Sequence, residues 1–129
     1  MPSKYAATTK VPVERSRAEI EKTLERYGAT KTFFAKDPEA FHVGFQLGGR
    51  SVQLKVPIYD NDRKNRQAMR VLLLWIKGRL EIIEAGFSTI DREFLHDILL
   101  ASGQKVGDLV VPQLNESTIK SLPMPGGEI

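Results

Sequence analysis

The stretch that most constrains this chain is Asp60 to Gly86, DNDRKNRQAMRVLLLWIKGRLEIIEAG. Asp60, Asn61 and Asp62 offer side-chain oxygens for a helix N-cap, and Gly86 offers a left-handed stop. Between them lie about 23 residues without proline, which is roughly 35 Å of helix at 1.5 Å per residue. Met69, Leu72, Leu73, Ile76, Leu80 and Ile83 recur at three- and four-residue steps and make one continuous apolar face. Val71, Trp75 and Ile82 form a second apolar stripe on a neighbouring flank, so this helix expects cover on two sides. The third side is basic. Arg63, Arg66, Arg70 and Lys77 fall at i, i+3, i+7 and i+14 and share a stripe expected in solvent off both apolar ones, with Lys64 joining the basic cluster in the first turns.

Around this helix the rest of the chain falls into order. Ser16-Arg17-Ala18-Glu19 has the spacing of a capping box, with Ile20, Leu24 and Tyr27 following on one face and Gly28 ending the helix. Thr30 to Ala35 is rich in β-branched and aromatic residues and predicts a first strand, broken at Asp37-Pro38. Phe41, Val43, Phe45 and Leu47 alternate with polar or small residues, as a half-buried strand requires. Gly48-Gly49 supplies the positive φ angles of a tight hairpin. Val52, Leu54 and Val56 alternate on the return strand, which Pro57 closes. Phe41, Phe45, Val52, Leu54 and Val56 are expected to pack on the long helix. After Gly86, Ser88 or Thr89 caps an amphipathic segment with Ile90, Phe94, Leu95 and Ile98. Val106 to Leu114 is expected to give a short strand and a helical turn capped by Asp108, covering the second apolar stripe.

The fold class is therefore α+β: helix, three-stranded antiparallel meander, long helix and a C-terminal helical or hairpin cover. Residues 1–12 read as a flexible arm, 13–114 as one domain and 115–129 as a loose tail. At 129 residues, with 41% apolar and 27% charged residues, the chain can bury a core without staples. It has no cysteine, which excludes disulfide and thiolate chemistry. MPSKYAATTK lacks the apolar run of a signal peptide, and Val71 to Ile76 is too short to span a membrane, so a cytoplasmic location is expected. A net charge of +3 leans mildly toward anionic partners.

Three blocks carry a family resemblance. V-P-V-E-R-S-R-A-E-I-E-K-T-L-E-R-Y-G-A at 11–29, L-L-L-W-I-K-G-R-L-E-I-I-E-A-G at 72–86 and V-G-D-L-V-V-P-Q at 106–113 resemble a family of small uncharacterised proteins of tailed phages and prophages. The resemblance spans most of 11–113. It implies a phage origin and work in the cytoplasm of an infected cell, and it implies no activity.

The motifs of standard catalysis are missing: no G-x-x-x-x-G-K-[ST], no H-E-x-x-H, no G-x-S-x-G. His42 and His96 read as solvated or boundary histidines, and Asp60-x-Asp62 as helix-capping acids rather than cation ligands. Neither a metal nor a cofactor is called for. One enzyme class shares the helix–meander–helix order, the metal-dependent nucleases with an Asp on the second strand and Glu-x-Lys on the third. Here Gln53-Leu54-Lys55 stands in the third-strand place and Asp37 is the nearest acid. Replacing Glu by Gln removes a metal ligand, so this is a lesser alternative.

Binding has the better physical warrant. Arg63, Lys64 and Arg66 add cations to exposed amides at a helix N-terminus, a combination that suits phosphate, with Arg70 and Lys77 continuing the stripe. The element order is similar to double-stranded-RNA-binding domains and to strand-annealing proteins, as fold-level analogies. The expectation is a non-enzymatic nucleic-acid-binding accessory protein. Its competitor is a merely solvated basic face with i,i+4 pairs such as Lys77 with Glu81. The alternative class is a protein-partner or self-association module acting on a host factor. Trp75 reads as core while the C-terminal unit covers it; otherwise Trp75 and Val71 become an interface and a homodimer replaces the monomer.

Overall fold

The computed structural model describes residues 12–114. The arm expected over 1–12, Pro12 apart, and the tail expected over 115–129 lie outside the described residues. The chain forms an α+β fold of α1 (Val13–Arg26), β1 (Thr30–Lys36), β2 (Ala40–Leu47), β3 (Arg50–Pro57), α2 (Asp62–Glu84), α3 (Ile90–Glu93), a 3-10 turn (Leu95–Asp97) and α4 (Val106–Leu114). No described helix is long and apolar enough to cross a membrane.

The long helix forms as its sequence dictates. Lys64 N–H donates to the Asn61 side chain at 3.0 Å, and Gly86 ends the helix at φ +85°. Asn65 fixes the chain's entry: its side chain accepts from Tyr59 N–H at 2.7 Å and donates to the Tyr59 carbonyl at 2.9 Å. The first helix departs from expectation. It starts one turn early, at Val13, with Pro12 in the cap position and no side-chain cap. The Pro12 carbonyl accepts from Arg15 and Ser16 N–H, and Ser16 is buried inside the helix rather than capping it. An extra turn lets Val13 pack against the core, and proline's fixed φ suits helix entry. Together these outweigh a serine cap of about 1 kcal/mol.

The sheet is an antiparallel meander in the order β1-β2-β3. Leu47 pairs with Arg50 across Gly48 and Gly49, both at positive φ, as a two-residue hairpin turn requires. A register shift between Thr30 and Phe33, with Lys31 at φ +51°, puts a bulge into β1. Phe33 then lies across Gly44, where any Cβ would collide with its ring. Val43, Phe45, Val52, Leu54 and Val56 meet Met69, Leu72, Leu73, Ile76 and Leu80 of α2, with Ile20 and Leu24 of α1 closing the core. Phe41, expected in that face, is only partly buried because it stands at an open end.

The C-terminal unit goes elsewhere than expected. Leu99 N–H donates to the Ser51 carbonyl at 2.8 Å and Ile98 bridges to Val52, so the unit seals the outer edge of β3. Phe94 enters the core edge-on to Phe45, with ring centroids 5.6 Å apart. The expected amphipathic helix is instead α3, capped by Thr89, and a 3-10 turn. No strand forms over Val106–Leu114, which is helical throughout; an isolated bridge, Leu99 to Lys105, precedes it, and Asp108 lies within the first turn of α4 rather than capping it. An unpaired strand edge and two large apolar side chains claim this unit first. As a result Val71 and Ile82 stay 52% and 39% exposed, and only Trp75 of the second stripe is partly buried against the core.

Candidate anion-binding cleft

The first turns of α1 and α2 begin at the same end of the molecule, together with the end of β1 and the start of β2. They enclose a cavity of about 650 Å³ with Met69 and Leu72 among its lining residues. Phe34 and Phe41 supply aromatic walls. Arg17 stands over the Phe34 ring at 4.8 Å and Lys36 over the Phe41 ring at 5.7 Å, so each cation is held at the cavity by an aromatic face rather than by an acid. Two helix N-termini add their positive dipole ends. Glu14 and Asp62 also line the cavity, and against them stand Arg17, Lys36 and Arg66.

Arg66 is the centre of this site. Its place in the basic stripe predicts solvent exposure with Arg63 and Arg70, and the fold overturns that: Arg66 is only 7% exposed. It precedes Met69 by three residues and Leu73 by seven, so at 3.6 residues per turn it sits on the edge of the core face. Its Nε is buried without a hydrogen-bond partner, and among the described residues Arg66 joins no ion pair. A buried guanidinium nitrogen left unpaired costs about 1–3 kcal/mol, so the position is expensive unless something binds there.

The remaining cations of the stripe divide. Arg63, Lys64 and Arg70 are exposed on α2, and Lys77 is half-buried further along. Lys64 lies 5.5 Å from the ring of the exposed Tyr59, and the two line a separate groove with Gln67 and Val71 on another side of α2. The Lys77–Glu81 pair expected of a merely solvated face does not form, and none of these four cations joins an ion pair among the described residues. Arg17 and Lys36 are additions to the site that the sequence pattern does not single out. Their placement depends on a helix that starts early and on a bulged strand, neither of which a local pattern announces. The burial of Arg66, by contrast, is implicit in its spacing from Met69 and Leu73.

Other candidates resolve into structure. Asp37 accepts from Glu39 and Ala40 N–H at 2.8 Å each and meets His42 Nε2 at 2.8 Å. The bond to His42, then the two amides, holds the Asp37 carboxyl below its ordinary value. These contacts occupy Asp37 as the turn's own acceptor. No group of three metal-ligating side chains occurs among the described residues. His96 bonds Asp97 at 3.0 Å, and its ring covers Gly107, where a Cβ would collide. No family model, no curated protein and no solved structure matches this chain.

Proposed function

We propose that this protein is a non-enzymatic nucleic-acid-binding module that receives backbone phosphate at the cleft between the starts of α1 and α2. The observation that carries the reading is Arg66, more than nine-tenths buried with its Nε unpartnered at a cavity flanked by two helix N-termini. A guanidinium there can hold a phosphate by charge-assisted hydrogen bonds. Arg63, Lys64 and Arg70 extend the positive surface beyond the cavity, which suits a polyanion better than a single small anion. Tyr59, 42% exposed next to Lys64, offers a stacking face for an unpaired base. The phage-type sequence blocks are in keeping with an accessory role in the cytoplasm of an infected cell.

The test is a titration with single- and double-stranded DNA and RNA at two salt concentrations. Wild type should bind, and Arg63→Glu with Arg70→Glu should weaken binding without unfolding, since both residues are exposed. For every phosphate no longer neutralised, the slope of log K against log salt should flatten by about 0.7 to 0.9. Lys22→Glu, exposed on α1, is the control and should do less. No binding at low salt overturns the reading. Binding that the double reversal leaves unchanged overturns the assignment to this end of α2.

A further inference from the structure

The face of α2 opposite its core face is unpartnered and apolar. Val71, Leu74 and Ile82 are 52%, 54% and 39% exposed, and Gly78 lies between them at helical spacing. A Cβ placed on Gly78 would meet nothing within 4 Å, so the helix backbone there is open to close approach. One flank of this stripe carries a charge gradient. Arg63 and Arg70 stand in its first half, Lys77 near the crossing and Glu81 and Glu84 in its last half; all but the half-buried Lys77 are exposed, and all five lie outside the ion pairs of the described residues.

We infer that α2 pairs antiparallel with α2 of a second copy of this chain, crossing near Gly78. The charge order selects both the occupant and the direction. An antiparallel two-fold sets this flank against its own reversed copy, basic half to acidic half, whereas a parallel pair would turn it toward the partner's opposite flank, where Lys64 and Arg79 offer no acid. Leu74 then meets the region of Ile82 on the partner helix, and Val71 the region beyond it. Gly78 lies at the two-fold, where the absence of a side chain lets the backbones close. The paired stretch from Val71 to Ala85 is roughly 22 Å long at 1.5 Å per residue. An interface of that length is small, so association should be concentration-dependent. The two clefts would lie at opposite ends of the helix pair, both open.

Light scattering and sedimentation on the full 14.5 kDa chain, without nucleic acid, from micromolar to several hundred micromolar, test this. Wild type should move from monomer to dimer. Gly78→Glu should abolish the dimer while keeping the fold, because it replaces glycine with a better helix former in open space. Arg70→Glu and Glu84→Arg should each weaken association about tenfold, and the double exchange should restore it. Those two residues are 14 apart, about 21 Å along one helix, so they can meet only between chains. A monomer at every concentration overturns the inference. So does a dimer indifferent to Gly78→Glu, or one dissolved instead by Val110→Glu on the exposed face of α4.

Discussion

The two ends of the molecule hold similar side chains in opposite states. At the hairpin end, Arg50 donates to Asp91 through Nε at 2.6 Å and Nη2 at 2.9 Å, a two-point clasp between the β2–β3 turn and α3. The clasp raises the pKa of Arg50 and lowers that of Asp91. On the C-terminal unit Arg79 meets Glu93 at 3.1 Å, and Lys105 and His96 share the buried Asp97 at 3.5 and 3.0 Å. At the helix-start end, Arg17, Lys36, Arg63, Arg66 and Arg70 have no acidic partner among the described residues, and the one pair there is Asp37 with His42. The contrast separates two uses of arginine. Where the fold needs a strap it supplies the acid as well. Where cations stand without acids among the described residues, and one of them is buried, the arrangement supports the proposed anion site.

The largest expected effect lies at the closed end. Phe94 is 1% exposed and fills the core beside Phe45, so Phe94→Ala should cost about 3–5 kcal/mol in denaturant unfolding. Ile76→Ala, in the same core under the sheet, should cost about 2–5 kcal/mol. A loss below about 1 kcal/mol at both sites would mean that α2 and the C-terminal unit do not share one core with the sheet.

At the open end the sign should reverse. Arg66→Met keeps the length and apolar body of the side chain and removes a buried unpaired donor. Stability should stay level or rise by about 1 kcal/mol, while nucleic-acid binding falls. Loss of stability together with loss of binding would make Arg66 a structural strut, and the two ends would no longer differ in kind.

The order and type of the main elements were legible because each rests on a local signal: the period of α2, the alternation of β2 and β3, the paired glycines of the hairpin. What was not legible depended on competition between distant parts. Ser16 looks like a cap until Val13 finds the core. Val71 and Ile82 look covered until the edge of β3 claims Leu99, and the core claims Phe94. The site followed the same division. Exposed Arg63, Lys64 and Arg70 could be read from α2 alone, whereas Arg17 and Lys36 reach the cleft through tertiary geometry, each over an aromatic ring.

The smallest effect concerns pH. Asp37 is held below the ordinary carboxylate range of about 3.9 by His42 and two backbone amides. A depressed folded-state value stabilises the fold above the unfolded value, and that contribution is lost as pH falls through the folded one. An NMR titration should place the Asp37 carboxyl midpoint below the ordinary range. Asp37→Asn should lower stability slightly at neutral and alkaline pH, where the carboxylate contributes, and abolish the acid-side decline, so that the two proteins converge at low pH. A midpoint at the ordinary value would leave the turn without its ionic acceptor.

The most direct measurement follows the Arg66 Nε–H resonance by ¹⁵N NMR while a short single-stranded oligonucleotide is added. Phosphate held in the cleft should shift that resonance in step with binding, and slow its exchange with water, while the Arg50 Nε–H bonded to Asp91 stays unmoved. Binding that saturates while Arg66 Nε–H keeps its free position would contradict the assignment, since the buried donor would still lack its partner.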